Sequence, residues 1–145
     1  VRTTTKDWKK IMIETTPFLM FCGPHGGQAE EAITLYVSLF KNSQIVAIDR
    51  YGENEHQPKG AVRLVRFILA GREYMAIDSI GAHNFTFTPA FSIFVTCEIE
   101  SELLHLFETL GAGGEVLMPL DNYGFSRKFG WLNDRYGVSW QINLP

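Results

Sequence analysis

The chain says the same thing twice. Phe18-Leu19-Met20-Phe21 opens one half and Phe91-Ser92-Ile93-Phe94 opens the other. Each opening is followed by a helix-like stretch and then by further strand-like runs. Ala29, Ala32, Ile33, Tyr36 and Phe40 share one helical face in the first half, and Leu103, Leu106, Phe107 and Leu110 do so in the second. Self-similarity of this length points to a duplicated supersecondary unit. Residue identity between the halves is low, so pattern and order carry the inference.

The elements follow from local chemistry. Residues 1–16 are polar and rich in Thr and Lys, a tail or a short helix around Trp8, Ile11 and Met12. Strand one is Pro17 to Cys22. Gly23-Pro24-His25-Gly26-Gly27 is expected as a loop, since regular elements do not tolerate that density of Gly and Pro. Helix one spans about Gln28 to Phe40. Strands follow at about Ser43 to Tyr51, Ala61 to Leu69 and Glu73 to Ile77, with a polar loop from Gly52 to Lys59. A linker, Ser79 to Pro89, leads to strand five, Ala90 to Cys97. Helix two, about Glu100 to Leu110, stops at Gly111-Ala112-Gly113-Gly114. A short strand, Glu115 to Met118, precedes a closing hairpin turning at Asp134-Arg135-Tyr136-Gly137. The order is βαβββ, then βαβββ: a single α+β domain over residues 17–145, with one module at about 17–80 and the other at about 89–145.

Composition removes several function classes. A net charge of −3 leaves no basic footprint for nucleic acid. No run of about 18 apolar residues is present to span a membrane, and the first residues lack a signal-peptide core. Cys22 and Cys97 read as buried free thiols, and the location expected is cytoplasmic. There is no G-x-x-x-x-G-K-S/T loop, no C-x-x-C pair and no G-x-S-x-G elbow.

With that order in hand, five runs carry a resemblance. They are T-P-F-L-M-F, E-E-A-I-T-L-Y-V-S-L-F, F-I-L-A-G-R-E-Y-M-A-I-D-S, F-S-I-F-V-T-C-E and G-W-L-N-D-R-Y-G-V-S-W-Q-I. In this sequence and order the chain resembles the PhnB-like branch of the vicinal oxygen chelate superfamily. That superfamily includes glyoxalases, extradiol dioxygenases and fosfomycin-resistance proteins. The branch often carries the domain name 3-demethylubiquinone-9 3-methyltransferase. The resemblance implies two βαβββ modules forming a U-shaped mixed sheet around a cavity, the glyoxalase-like fold. It also implies a divalent metal held by His or Glu from the first, fourth, fifth and eighth strands. At those positions this chain has Pro17, Asp78, Ser92 and Gln141. Pro offers no side-chain ligand, and Ser and Gln are poor ligands for transition metals. The metal site is therefore expected to be lost, with no cofactor.

The candidate binding residues come from strand alternation and loop placement. Trp140 and Ile142 should face a helix, and Ser139, Gln141 and Asn143 the cavity. Phe125, Phe129 and Trp131 alternate along strand seven as core or as pocket lining, with Arg127 on the same face to favour an anion. The cavity set is thus Ser92, Gln141, Asp78, Arg127, Phe129, Trp131 and His25, the last in a loop at the cavity mouth. His56, His83 and His105 read as solvated. The methyltransferase name is not expected to describe the activity. The G-P-H-G-G turn has the wrong spacing for S-adenosylmethionine and the chain is short for that fold.

Three functions remain open. One is binding of an unidentified small organic molecule without a tight metal. Another is a metal-assisted lyase, isomerase or dioxygenase. The last is an interaction dimer with a vestigial cavity. A homodimer is expected in each case, because the Phe-rich strands Pro17 to Cys22 and Ala90 to Cys97 present edges that need cover. No nucleic-acid or membrane partner is expected.

Overall fold

The computed structural model describes residues 12–145. The helix considered around Trp8 and Ile11 lies outside the described residues, and Met12 is exposed and in no regular element. The order is β1 (Phe18–Cys22), α1 (Ala29–Leu39), β2 (Gln44–Arg50), β3 (Val62–Leu69), β4 (Arg72–Ser79), β5 (Ser92–Thr96), α2 (Glu100–Gly111), β6 (Glu115–Asp121), β7 (Lys128–Asn133) and β8 (Ser139–Leu144). This is βαβββ twice, an α+β fold. The Gly23-Pro24-His25 stretch, expected as loop, makes a single turn of 3-10 helix, where Pro24 needs no donor of its own.

The strands form two four-stranded mixed sheets, ordered β1-β4-β3-β2 and β5-β8-β7-β6. In each module the first strand runs parallel to the fourth and the remaining pairings are antiparallel. The duplication read from sequence is therefore exact in topology. The U expected as one sheet is built here from two separate halves.

Alternation sorts each sheet into a helix side and an open face. Leu19, Phe21, Val65, Phe67 and Ala76 of the first sheet are buried with Ala29, Ala32, Ile33 and Tyr36 of α1. Ile93, Leu132, Trp140 and Ile142 of the second are buried with Leu103, Leu106 and Leu110 of α2. The two sets belong to one continuous core, so the modules are joined through their helix sides.

Tyr36 and Trp140 form that joint. Their rings meet edge to face at 5.0 Å, and Phe40 stacks on Trp140 at 5.9 Å. Both polar tips converge on Asp134, at the start of the β7–β8 turn. Its Oδ2 accepts from Tyr36 Oη and from Trp140 Nε1, the latter at 2.9 Å. Its Oδ1 accepts from the backbone N–H of Tyr136 and Val138 at 2.9 and 3.0 Å. Burial pushes this carboxyl above the usual range, against the downward pull of these donors. Tyr36 is pushed well up by burial and by the adjacent carboxylate. A buried acid with every lone pair in use is a fastening, not a reactive group.

Candidate functional site

The open face of the second sheet gathers four of the residues singled out from the sequence. Gln141 lies opposite Trp131 across β7 and β8, and Phe129 opposite Asn143. Because side chains alternate, these share the face that Trp140 and Ile142 avoid. Ser92 joins from β5, where Gln141 Nε2 donates to its Oγ at 2.7 Å. Trp131 Nε1 donates to Ser139 Oγ at 2.8 Å. The side-chain oxygens of Asn133 and Asn143, on the same alternation, are buried and lack a protein partner.

Aromatic rings border this polar strip. Phe94 lies 6.3 Å from Phe129, with Phe125 at 5.1 Å and Tyr123 at 6.1 Å from the same ring. Phe129 is buried, whereas Phe94 is 53% and Phe125 64% exposed. Sequence reasoning passed over Phe94. The signal was present, since it alternates with buried Ile93 and so must share the face of Ser92.

The other three residues lie elsewhere. Asp78 stands on the helix side of β4, in step with Ala76, and is buried. Its Oδ1 accepts from the N–H of Gly27 and Ala29 at 2.9 and 3.0 Å, and its Oδ2 from Val62 N–H at 2.9 Å. It ties the start of α1 to β3. Arg127 precedes β7, is exposed, and donates through Nε to the Pro145 carbonyl at 2.6 Å. His25 hydrogen-bonds Gln28 at 3.0 Å and packs on the β7–β8 turn. There a Cβ on Gly137, at φ +89°, would come within 2.6 Å of its Nε2. His25 thus fills the notch left by a glycine at the joint between modules.

A divalent metal fits this arrangement poorly. Of the four positions where the fold family would place ligands, Pro17 has no donor, Asp78 is committed to three backbone N–H groups, and Ser92 and Gln141 bond each other. Among the described residues, no three His, Cys, Asp or Glu side chains cluster as a metal site. Cys97 is buried, and desolvation with nearby Glu102 raises its thiol to about 11. Cys22 is also raised by burial. Neither is a ready thiolate. Among the described residues, no helix is long and apolar enough to cross a membrane.

Two grooves open beside the core. One of about 370 Å³ lies between Phe18, the linker residues Thr86 to Thr88, Phe91 and Ser139. It adjoins the strip through Ser139. The other, about 700 Å³, runs along β5 between the modules.

Comparison with known proteins bears on the family and the fold. The family model described as 3-demethylubiquinone-9 3-methyltransferase matches residues 13–143. A PhnB protein from Bacillus cereus, whose structure bears the same methyltransferase description, is 53% identical. The match covers 92% of this chain and 100% of that one, with a TM-score of 0.86. Protein PA1353 from Pseudomonas aeruginosa is 26% identical over 92% of this chain and 98% of its own, with a TM-score of 0.76. The fosfomycin resistance protein FosX from Listeria monocytogenes, solved with Mn(II) and 1S,2S-dihydroxypropylphosphonic acid, is 13% identical. Coverage is 92% of each chain and the TM-score 0.60, a likeness of fold alone. No functionally curated protein matches the chain.

Proposed function

The chain belongs to the 3-demethylubiquinone-9 3-methyltransferase family, within the glyoxalase-like fold, and from that premise we propose that it binds a small organic molecule on the open face of its second sheet. One observation carries this reading. A strip of hydrogen-bonding groups (Ser92, Gln141, Asn143) is flanked by Trp131, Phe129 and half-exposed Phe94. Apolar walls with a few placed polar groups are the usual make-up of a ligand site. Gln141 and Asn143 would orient the ligand through its donors and acceptors, and the rings would cover its apolar part.

The alternative is a metal-assisted lyase, isomerase or dioxygenase, supported by the fold shared with manganese-bound FosX. The donor set argues against a tightly held metal, as set out above. Methyl transfer finds no support in the strand order. The sheets are mixed and four-stranded, without the parallel sheet of a nucleotide-type cofactor site, and the glycine-rich turn from β1 to α1 has the wrong spacing for one.

The test pairs two measurements on protein purified without chelators. Elemental analysis should find less than about a tenth of an equivalent of transition metal. Thermal-shift screening of small aromatic and carbonyl compounds should yield ligands whose effect disappears in Gln141→Ala and Phe129→Ala. Stoichiometric metal would favour the enzyme reading. Ligands that stabilise both variants as well as the parent would sink the open-face site.

A further inference from the structure

The charge on the open face of the second sheet is one-sided. Among the described residues, the open-face positions that the register aligns across β5, β8, β7 and β6 hold two carboxylates and no Lys, Arg or His. Both carboxylates come from β6, where Asp121 lies opposite Phe129 and Glu115 opposite Asn133. The polar groups of β5 and β8 on this face are uncharged, so the acids stand at the β6 margin alone. Neither has an ion pair among the described residues. The basic residues nearest in sequence turn elsewhere. Lys128 alternates with Phe129 and donates to Glu100 of α2 at 2.6 Å. Arg127 donates to the Pro145 carbonyl at 2.6 Å and, after Lys128, helps hold the Glu100 carboxyl below its usual range. An anion on the open face would meet like charge and no cation.

Asp121 stands beside a group of aromatic rings. Phe129 lies opposite it, and the connection from β6 to β7 carries Tyr123 and Phe125. These two rings are within 18° of parallel, with centroids 6.4 Å apart, and each meets Phe129 edgewise, at 6.1 and 5.1 Å. Phe94 joins Phe129 at 6.3 Å. Phe129 is the buried member, and the other three keep surface in solvent. The connection is held by its own side chains. Tyr123 Oη donates to the Pro119 carbonyl at 2.6 Å, and Asn122 Oδ1 accepts from Gly124 N–H at 2.8 Å. Gly124 turns the chain there at φ +98°, a conformation that other residues rarely adopt. Asp121 Oδ1 accepts from Asn122 N–H at 2.7 Å, and its Oδ2 has no protein partner among the described residues.

A cationic nitrogen suits both features. The ring faces attract it through their quadrupole and the carboxylate attracts it through charge. A neutral ligand would use the rings and leave Asp121 unanswered. We propose that the molecule held on the open face is a small organic amine, cationic at neutral pH, with its ammonium group against Asp121, Tyr123 and Phe125 and its uncharged part running over Phe129 and Phe94 toward Ser92 and Gln141. This rests on the open-face reading and adds the charge of what that face takes. In the strand order β5-β8-β7-β6, Asp121 and the ring connection lie at the side of the sheet away from β5, and so do not depend on what covers the β5 edge.

The probes share one ring and differ in the head group: tyramine is cationic, 4-hydroxyphenylethanol neutral and 4-hydroxyphenylacetate anionic. Binding to the whole chain, labelled with nitrogen-15, is read from backbone amide shifts at about pH 7. Tyramine is expected to bind about fivefold or more tighter than the alcohol, with the anion weakest, and to shift amides between Asp121 and Phe129 and at Gln141. Added salt should narrow the gap. Asp121→Asn, at an exposed position, should remove the advantage of tyramine and leave the alcohol unchanged, and Asp121→Lys should make the anion the preferred probe. The alcohol or the anion binding as tightly as tyramine at those same amides overturns the cation preference and leaves the open-face reading standing. Tyramine binding that shifts only amides elsewhere overturns both. Tyramine binding at the expected amides that Asp121→Asn does not weaken overturns the role of the carboxylate and so the inference. No saturation by tyramine up to about 10 mM also overturns it, and the open-face reading is then decided by the compound screen and its Gln141→Ala and Phe129→Ala controls.

Discussion

Replacing Trp140 tests the joint between the modules and, through it, the orientation of β8. The side chain is fully buried, faces Phe40 and Tyr36, and donates to Asp134. Truncating such a residue to alanine costs about 3–5 kcal/mol from lost contact and the cavity left behind. The lost N–H adds to this, although Asp134 Oδ2 keeps the Tyr36 hydroxyl, so the sum stays near the upper end. Set against a typical stability of about 5–15 kcal/mol, Trp140→Ala should fold only marginally. Trp140→Phe is the graded companion. It keeps an aromatic ring and loses the bond to a carboxylate, worth about 1.5–3 kcal/mol. In urea, with a slope of about 2 kcal/mol/M, its midpoint should fall by roughly 1 M at unchanged slope. Circular dichroism and tryptophan fluorescence should report one shared transition, because the joint lies in a single core. A loss below about 1 kcal/mol for Trp140→Ala would refute the parity of β8, and with it the placement of Gln141 on the open face.

Further outcomes separate fastening residues from binding residues. Asp78→Ala strands three buried or partly buried N–H groups and should cost about 3 kcal/mol or more by thermal denaturation, whereas Gln141→Ala, at the open face, should cost less than about 1. Cys22 and Cys97 should resist a thiol reagent at pH 8 in the native protein and both react in denaturant. The Cys97 thiol is raised to about 11 by burial, so it keeps its proton in the fold at a pH where the unfolded chain has released it. Its contribution is complete below the unfolded value near 9.0 and is lost as pH rises through about 11. Cys97→Ala should flatten the alkaline limb of the melting-temperature profile. Light scattering should give a mass near twice 16.4 kDa for the homodimer proposed on the edge strands Pro17 to Cys22 and Ala90 to Cys97, and a mass near 16.4 kDa would reject it.

The repeat, the element order and the face of β8 were legible because each rests on period alone. Trp140 and Ile142 against Gln141 and Asn143 is a plain alternation, and once β8 is oriented, Trp131 and Phe129 follow through the register with β7. Arg127 failed the same reasoning because β7 begins one residue later, so strand parity does not extend to it. Asp78 was misjudged for a different reason. Its parity with Ala76 already placed it on the helix side, but a carboxylate there looks implausible until its donors are known. Those donors, Gly27, Ala29 and Val62, arrive from distant parts of the module. Asp134 was legible as a turn residue, since Asp three before Gly is ordinary turn chemistry. Its bond to Tyr36, 98 residues away, is a tertiary fact.

These two aspartates serve the core and not the proposed open-face site. Both are buried on the helix side, and both hold α1: Asp78 receives the N–H of Ala29 at its start, and Asp134 receives Tyr36 near its middle. Phe40, just past its end, stacks on Trp140. The helix of the first module is therefore held along its length by both halves of the chain. The open face of the second sheet, left with Ser, Gln and Asn in place of acids, makes no contribution to that fastening. On the proposed reading, its side chains can vary with the ligand while the core stays the same. This division predicts that substitutions at Ser92 or Gln141 alter what is bound with little change in stability, and that substitutions at Asp78 or Asp134 do the reverse.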